Sequence, residues 1–176
     1  DDCANNTQEL LAYFARVSSA TNQGNHATGQ KLIKSLIARK EWSPLEMVSL
    51  TMEIVTTRDI ARQILRHRSF SFQEFSQRYA AVGDDFSLRE CRLQDTKDRQ
   101  NSLPCDDGDL ADMWIDYQAD LHKLAMTYYN DALKKGIAKE VARAILPEGL
   151  THSRLYMAGT LRSWLHFSTL RSGVET

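Results

Sequence analysis

The sequence predicts an α+β fold: an antiparallel sheet with helices packed against it. Two observations carry that prediction. Several stretches place apolar residues at helical spacing, the longest running from Leu110 to Lys135. One stretch, Met47 to Thr56, alternates instead, with Val48, Leu50, Met52 and Ile54 on one face and Ser49, Thr51 and Glu53 on the other. That pattern marks a half-buried antiparallel strand. A length of 176 residues fits a single domain over 1–176 with a real core.

In chain order, Asn6 and Glu9 form a capping box, and Leu10, Leu11, Phe14 and Val17 give the helix after it an apolar face. That helix ends at Ser18-Ser19, and residues 20–27 read as loop. Gln30 to Arg39 is a second amphipathic helix through Leu32, Ile33, Leu36 and Ile37. Trp42 to Glu46 is a turn into the alternating strand. Thr57 or Asp59 then caps a central helix whose stripe is Ile60, Ala61, Ile64 and Leu65. Residues 81–109 have no firm period and read as a long loop with short elements, its Arg89, Arg92 and Arg99 on the surface. Lys134 and Lys135 close the longest helix and Gly136 stops it. Its broad stripe (Met113, Trp114, Tyr117, Leu121, Leu124, Ala125, Tyr128, Ala132) suits a core or an oligomer interface. His122 on it reads as structural. Lys139 to Leu146 is a short helix ended by Pro147. Leu155 to Ala158 is strand-like, and a last helix carries Leu161, Arg162, Trp164, Leu165, His166, Ser168 and Arg171.

Composition excludes some functions. Apolar residues make up 42% of the chain and the formal net charge is −1, as in an ordinary soluble globular protein. A binder of duplex nucleic acid would carry a basic excess. Of the 22 Lys and Arg residues most are Arg, which points to local anion sites rather than a global field. No apolar run approaches the roughly 18 residues of a membrane span, and no signal peptide is legible. Cys3, Cys91 and Cys105 lack C-x-x-C spacing. They read as reduced thiols of a cytoplasmic protein, with no metal site.

The densest chemistry lies between Arg62 and Tyr79, where Arg62, Arg66, His67, Arg68, Glu74 and Arg78 are threaded with Ile64, Leu65, Phe70, Phe72 and Phe75. Arg62 and Arg66 fall one helical turn apart, beside Gln63. That juxtaposition costs a few tenths of a kcal/mol unless an anion sits between them. Arg suits such a site because its planar fork grips phosphate or carboxylate with two bonds. After Arg68 the helical pattern stops. Glu74, Ser76 and Arg78 recur at every second position and would share a face of an extended segment. The plainer reading is an Arg-rich helix end with internal ion pairs, Asp59–Arg62 being one on spacing.

Arg66-His67-Arg68, seven residues and Ser76, followed by Gln77-Arg78-Tyr79, resembles the R-H-R-x7-S signature of flavin-dependent thymidylate synthases. Further similarities run from Ala15-Arg16-Val17-Ser18 through Ser43-Pro44-Leu45-Glu46 and Arg143-Ala144-Ile145-Leu146-Pro147 to Leu170-Arg171. The chain departs from the family at Glu41 and Met47, where His is usual, and at His166, where many members carry Asn. The resemblance implies that family's fold, with an N-terminal strand and a C-terminal helical segment missing from this chain.

It also implies the reaction: reductive methylation of dUMP to dTMP with methylenetetrahydrofolate, FAD and NADPH. By resemblance, dUMP is surrounded by Gln63, Arg66, Glu74, Phe75, Ser76, Gln77, Arg78, Arg143 and Arg171. Arg78 and Arg143 would hold phosphate, Arg171 would stabilise negative charge on the pyrimidine, and Ser76 would be an orienting hydroxyl. FAD would meet Ser18, Ser43, Glu46, Arg66, His67, Arg68, Glu74, Thr160, Arg162 and His166. A hydride donor bound in the site removes the need for a cysteine nucleophile, and no Cys here sits in a motif. The family is a homotetramer with sites shared between subunits. Two other readings stay open on the residues: a nucleotide or single-stranded RNA binding module, in which Arg and Phe stack and grip bases, and a degraded family member that binds flavin poorly.

Overall fold

The computed structural model describes residues 6–19 and 21–172; Cys3 and Ala20 lie outside them. Six α-helices and five strands follow one another: α1 Thr7–Ala15, α2 Gly29–Ala38, β1 Ser49–Thr57, α3 Arg58–Ile64, β2 Ser71–Glu74, β3 Arg92–Gln94, β4 Ser102–Pro104, α4 Gly108–Lys134, α5 Lys139–Ala142, β5 His152–Thr160 and α6 Leu161–Arg171. This is the expected mixture of helices and antiparallel sheet. Strands β1, β5 and β2 form one sheet in that order, and β3 pairs with β4 antiparallel in a hairpin. No helix among the described residues is long and apolar enough to cross a membrane.

The chain divides into two compact units. The first takes the residues up to Glu53, His67–Gln73 and Tyr156 onward, and the second takes Ile54–Arg66 and Glu74–Leu155. In the first unit the capping box forms as expected: Asn6 Oδ1 accepts from Glu9 N at 3.0 Å and Asn6 Nδ2 donates to Glu9 Oε1 at 3.1 Å. Helices α1 and α2 approach closely enough that a Cβ on Gly29 would stand 3.3 Å from Ala12 Cβ. Arg16 is buried, its guanidinium donating to Asn25 O and to Thr28 Oγ1, so it fastens the turn after α1. An aromatic cluster fixes α6. Phe70 stands edge-on to Trp164 at 4.9 Å and to Phe167 at 5.9 Å, and Trp164 Nε1 donates to Leu50 O.

In the second unit, Met126 and Tyr129 of α4 pack with Ala142 and Leu146, and the Tyr129 hydroxyl accepts from Val82 N at 3.1 Å. Gly136 ends α4 with φ +83°, a conformation that costs glycine little. His122, expected to be structural, is buried and stacked on Phe86 at 3.9 Å, and its Nδ1 has no partner among the described residues.

Four expectations fail. Strand β1 is not half-buried over its first part: Leu50 and Met52 of the face expected inward stay 45% and 43% exposed, since the described residues cover them only in part. Helix α3 stops at Ile64, so Arg66 to Arg68 form a turn instead of a helical face; Phe70 N bonds back to His67 O, and burial of Phe70 draws the chain out of the helix. Glu74, Ser76 and Arg78 do not share an extended face. Strand β2 ends at Glu74, and Ser76 O then accepts from Tyr79 N and Ala80 N in a turn. The ion pair Asp59–Arg62 is replaced by Asp59–Arg89 at 2.9 Å and by Arg62–Glu148, since partners distant in sequence fit better than the next turn.

Candidate functional site

Two concave regions stand out, one in each unit. The first unit holds a cleft of about 740 Å³ lined by Trp42, Glu46, Thr160, Arg162 and His166, with Lys40 at its wall. The loop after α2 supplies one side. Lys40 adopts φ +58°, a left-handed residue where glycine is usual, and Glu41 N returns to Leu36 O at 2.9 Å. Helix α6 supplies the other side. Thr160 caps it, its Oγ1 accepting from Ser163 N at 3.3 Å, and Arg162 on its first turn pairs with Glu46. Cations, hydroxyls and an indole along one cleft fit a large, flat, phosphate-bearing cofactor. The departing Glu41 turns to Arg39, at 2.7 Å and 3.2 Å, and that guanidinium holds its carboxyl below the usual range.

His67 joins the aromatic cluster of the first unit. His67 meets the edge of Phe167 at 4.8 Å, and Arg171 Nη2 donates to His67 Nε2 at 3.3 Å. Burial, then Arg171 and His166, lower the His67 pKa. A neutral imidazole accepting from an obligate cation is the consistent state.

The second unit holds a smaller, charged cavity of about 440 Å³ lined by Arg58, Arg62, Gln77, Glu140, Arg143 and Glu148. Gln77 is 3% exposed and its Nε2 has no partner among the described residues. A buried amide donor left so costs about 1–3 kcal/mol, which a ligand acceptor would recover. Arg143 Nε donates to Glu140 O at 3.3 Å, and Glu140 also pairs with Arg78 at 3.2 Å. Arg58, its side chain 11% exposed, lies between Glu74 at 3.6 Å and Glu148 at 4.0 Å. Ser153 Oγ donates to Glu74 Oε1 at 2.7 Å.

The residues expected at the site sort themselves by unit. Those expected around FAD lie in the first unit, except Arg66 and Glu74; those expected around dUMP lie in the second, except Arg171. Glu46, Thr160, Arg162 and His166 come together on the first cleft, and Gln77 and Arg143 on the second. Ser18, Ser43 and Arg68 are exposed outside the first cleft, as Gln63, Arg66 and Arg78 are outside the second. Phe75 lines a separate hollow beside His152. The Ser76 hydroxyl accepts from Arg78 N at 3.4 Å. Sequence reasoning missed Lys40, Trp42 and Arg58. The first two follow directly on a helix end and were legible as a loop; nothing local marked Arg58, whose partners lie far along the chain.

The family model of the thymidylate synthase complementing protein matches residues 2–175. A probable flavin-dependent thymidylate synthase of Paramecium bursaria Chlorella virus 1 is 49% identical over 172 residues, which is 98% of this chain and 79% of that one. A flavin-dependent thymidylate synthase of Synechocystis is 49% identical over 167 residues, 95% of this chain and 76% of that one. Among solved structures, the UMP/dUMP methylase PolB of Streptomyces cacaoi bound with 5-Br dUMP is similar with a TM-score of 0.77 and 28% identity, over 91% of this chain and 71% of that one.

Proposed function

Since the chain belongs to the flavin-dependent thymidylate synthase family, we propose that it methylates dUMP reductively to dTMP, with FAD as its flavin, methylenetetrahydrofolate as one-carbon donor and NADPH as reductant. The observation that carries the reading is the unpartnered, buried Gln77 amide in a cavity that also presents Arg143. Arg143 and Arg78 hold the nucleotide phosphate. The exposed Arg78–Glu140 pair is worth at most about 1 kcal/mol, so a phosphate that makes charge-assisted bonds of about 1.5–3 kcal/mol displaces it. Gln77 donates to the nucleotide, and Gln63, Arg66, Glu74 and Phe75 complete its surroundings. Arg171, held by neutral His67, stabilises the negative charge that develops on the pyrimidine. Ser76 orients the ring and makes no covalent bond.

Lys40, Glu46, Thr160, Arg162 and His166 hold the flavin, with Ser18, Ser43, His67 and Arg68. Bound flavin supplies the hydride that the methylation needs. The protein's part is position and electrostatics. We read 1–176 as one catalytic domain of a cytoplasmic homotetramer. Support for assembly comes from α4, where Tyr117, Leu121, Leu124 and Tyr128 form an apolar stripe that is at least 50% exposed.

The test is the visible absorbance spectrum of the purified protein, before and after addition of FAD and then dUMP. Flavin uptake with a spectrum that dUMP perturbs supports the proposal. A folded chain that takes up no flavin overturns it and favours a degraded member, or a nucleic-acid module if oligonucleotides bind.

A further inference from the structure

The hairpin of β3 and β4 pairs Arg92 with Pro104, Leu93 with Leu103 and Gln94 with Ser102. One step outward, the same register sets Cys91 opposite Cys105. Opposed residues of antiparallel strands have Cα atoms about 4.5–5.5 Å apart, inside the window of about 4.4–6.8 Å that disulfides use. Both thiols are free and half-buried.

The stem is anchored on both sides of this pair. Arg89 N donates to Gln118 Oε1 at 2.8 Å, and Gln118 Nε2 donates back to Arg89 O at 3.0 Å. Beyond the other strand, Asp107 caps α4, its Oδ1 accepting from Leu110 N at 3.1 Å. The hairpin also stands without a covalent link. Asp95 accepts from Lys97 N at 2.8 Å and from Asn101 Nδ2 at 2.8 Å across its tip, and Arg92 reaches Ser102 Oγ at 2.7 Å.

We propose that Cys91 and Cys105 are a redox-active pair, a reversible cross-strand disulfide that closes the hairpin when the thiol pool is oxidised. The oxidant is a small-molecule disulfide such as oxidised glutathione. One of the two protein thiolates attacks one of its sulfurs, giving a mixed disulfide and one glutathione thiolate. The other protein thiolate then attacks the protein sulfur of that mixed disulfide and releases the second glutathione. Two protein thiols are oxidised, one small disulfide is reduced to two thiols, and the protein's two protons pass to the released thiolates and solvent. Burial, then the neighbouring Cys105 and Asp107, raise the Cys91 thiol, so closure quickens as pH rises.

The inference is independent of the proposed catalysis. It is tested on the full chain carrying Cys3→Ser, equilibrated with oxidised and reduced glutathione at several ratios. The expected product is monomeric by chain linkage, lacks both remaining thiols and is lighter by two hydrogens. Trypsin should release residues 90–92 joined by a disulfide to residues 100–123, and dithiothreitol should separate them. Exchange of the amides at 93–103 should slow about tenfold on oxidation. Further Cys91→Ser or Cys105→Ser replacement should leave a glutathione adduct in place of the cross-link. Stable glutathione adducts on both cysteines, chain-to-chain disulfides only, or thiols that survive every ratio would each overturn the proposal.

Discussion

The two clefts use arginine in opposite ways. In the first unit Arg162 pairs with Glu46 beside Trp42, Leu165 and Ile37, so charge is set at the margin of an apolar wall. In the second unit Arg58, Arg62 and Arg143 share a small space with Glu140 and Glu148, and a buried amide donor has no partner. A broad, partly apolar cleft suits a large planar cofactor that gains by burying area. A tight, polar cavity suits a small anion recognised by directed bonds. On the proposed assignment, selectivity in the first would follow from shape, and in the second from donors that lose most when no acceptor arrives.

The largest test of this division is Arg171→Ala. Arg171 lies in the first unit but is assigned to the nucleotide. Turnover should fall at least about 100-fold, while flavin uptake measured by absorbance persists. Full turnover would remove its role. A smaller effect is expected from a crossed pair. Arg143→Ala should weaken dUMP binding about 10–100-fold by calorimetry with flavin binding unchanged. Arg162→Ala should weaken flavin binding about tenfold with dUMP binding unchanged. If both variants lose both ligands, the division of labour fails.

Next in size is Gly159→Ala in β5. A Cβ there would meet Phe70 Cδ1 at 2.4 Å and Cε1 at 2.6 Å. The ring is locked against Trp164 and Phe167, so denaturant unfolding should register about 1–3 kcal/mol of lost stability. The smallest effect concerns pH. The folded His67 pKa is lowered, chiefly by burial. The unfolded chain therefore binds the proton first as pH falls. The contribution of neutral His67 is complete above about pH 6.5 and is lost as pH falls through the lower folded value. His67→Gln should flatten that slope in pH-dependent unfolding, and a slope left unchanged would assign it to other groups.

Much was legible where the cause is local. The Asn6–Glu9 box, the Gly136 stop and the length of α4 depend on neighbours within a few residues, and each stands as read. The R-H-R-x7-S spacing was equally plain, because a motif is a string. What failed depended on distant partners. Helical spacing continued through Arg66, yet burial of Phe70 among residues of α6 ended α3 at Ile64. Asp59 had a cation three residues on and took Arg89 instead.

The sequence by itself determined the helix and strand types, the main turn signals and the family, since propensity, capping and motif act over short range. Only the tertiary structure decided which arginines share a cavity, which apolar faces lie open and which cysteines meet across a hairpin. Those facts follow from folding brought about by contacts between residues tens of positions apart, where burial and charge pairing outweigh the preferences of the nearest neighbours.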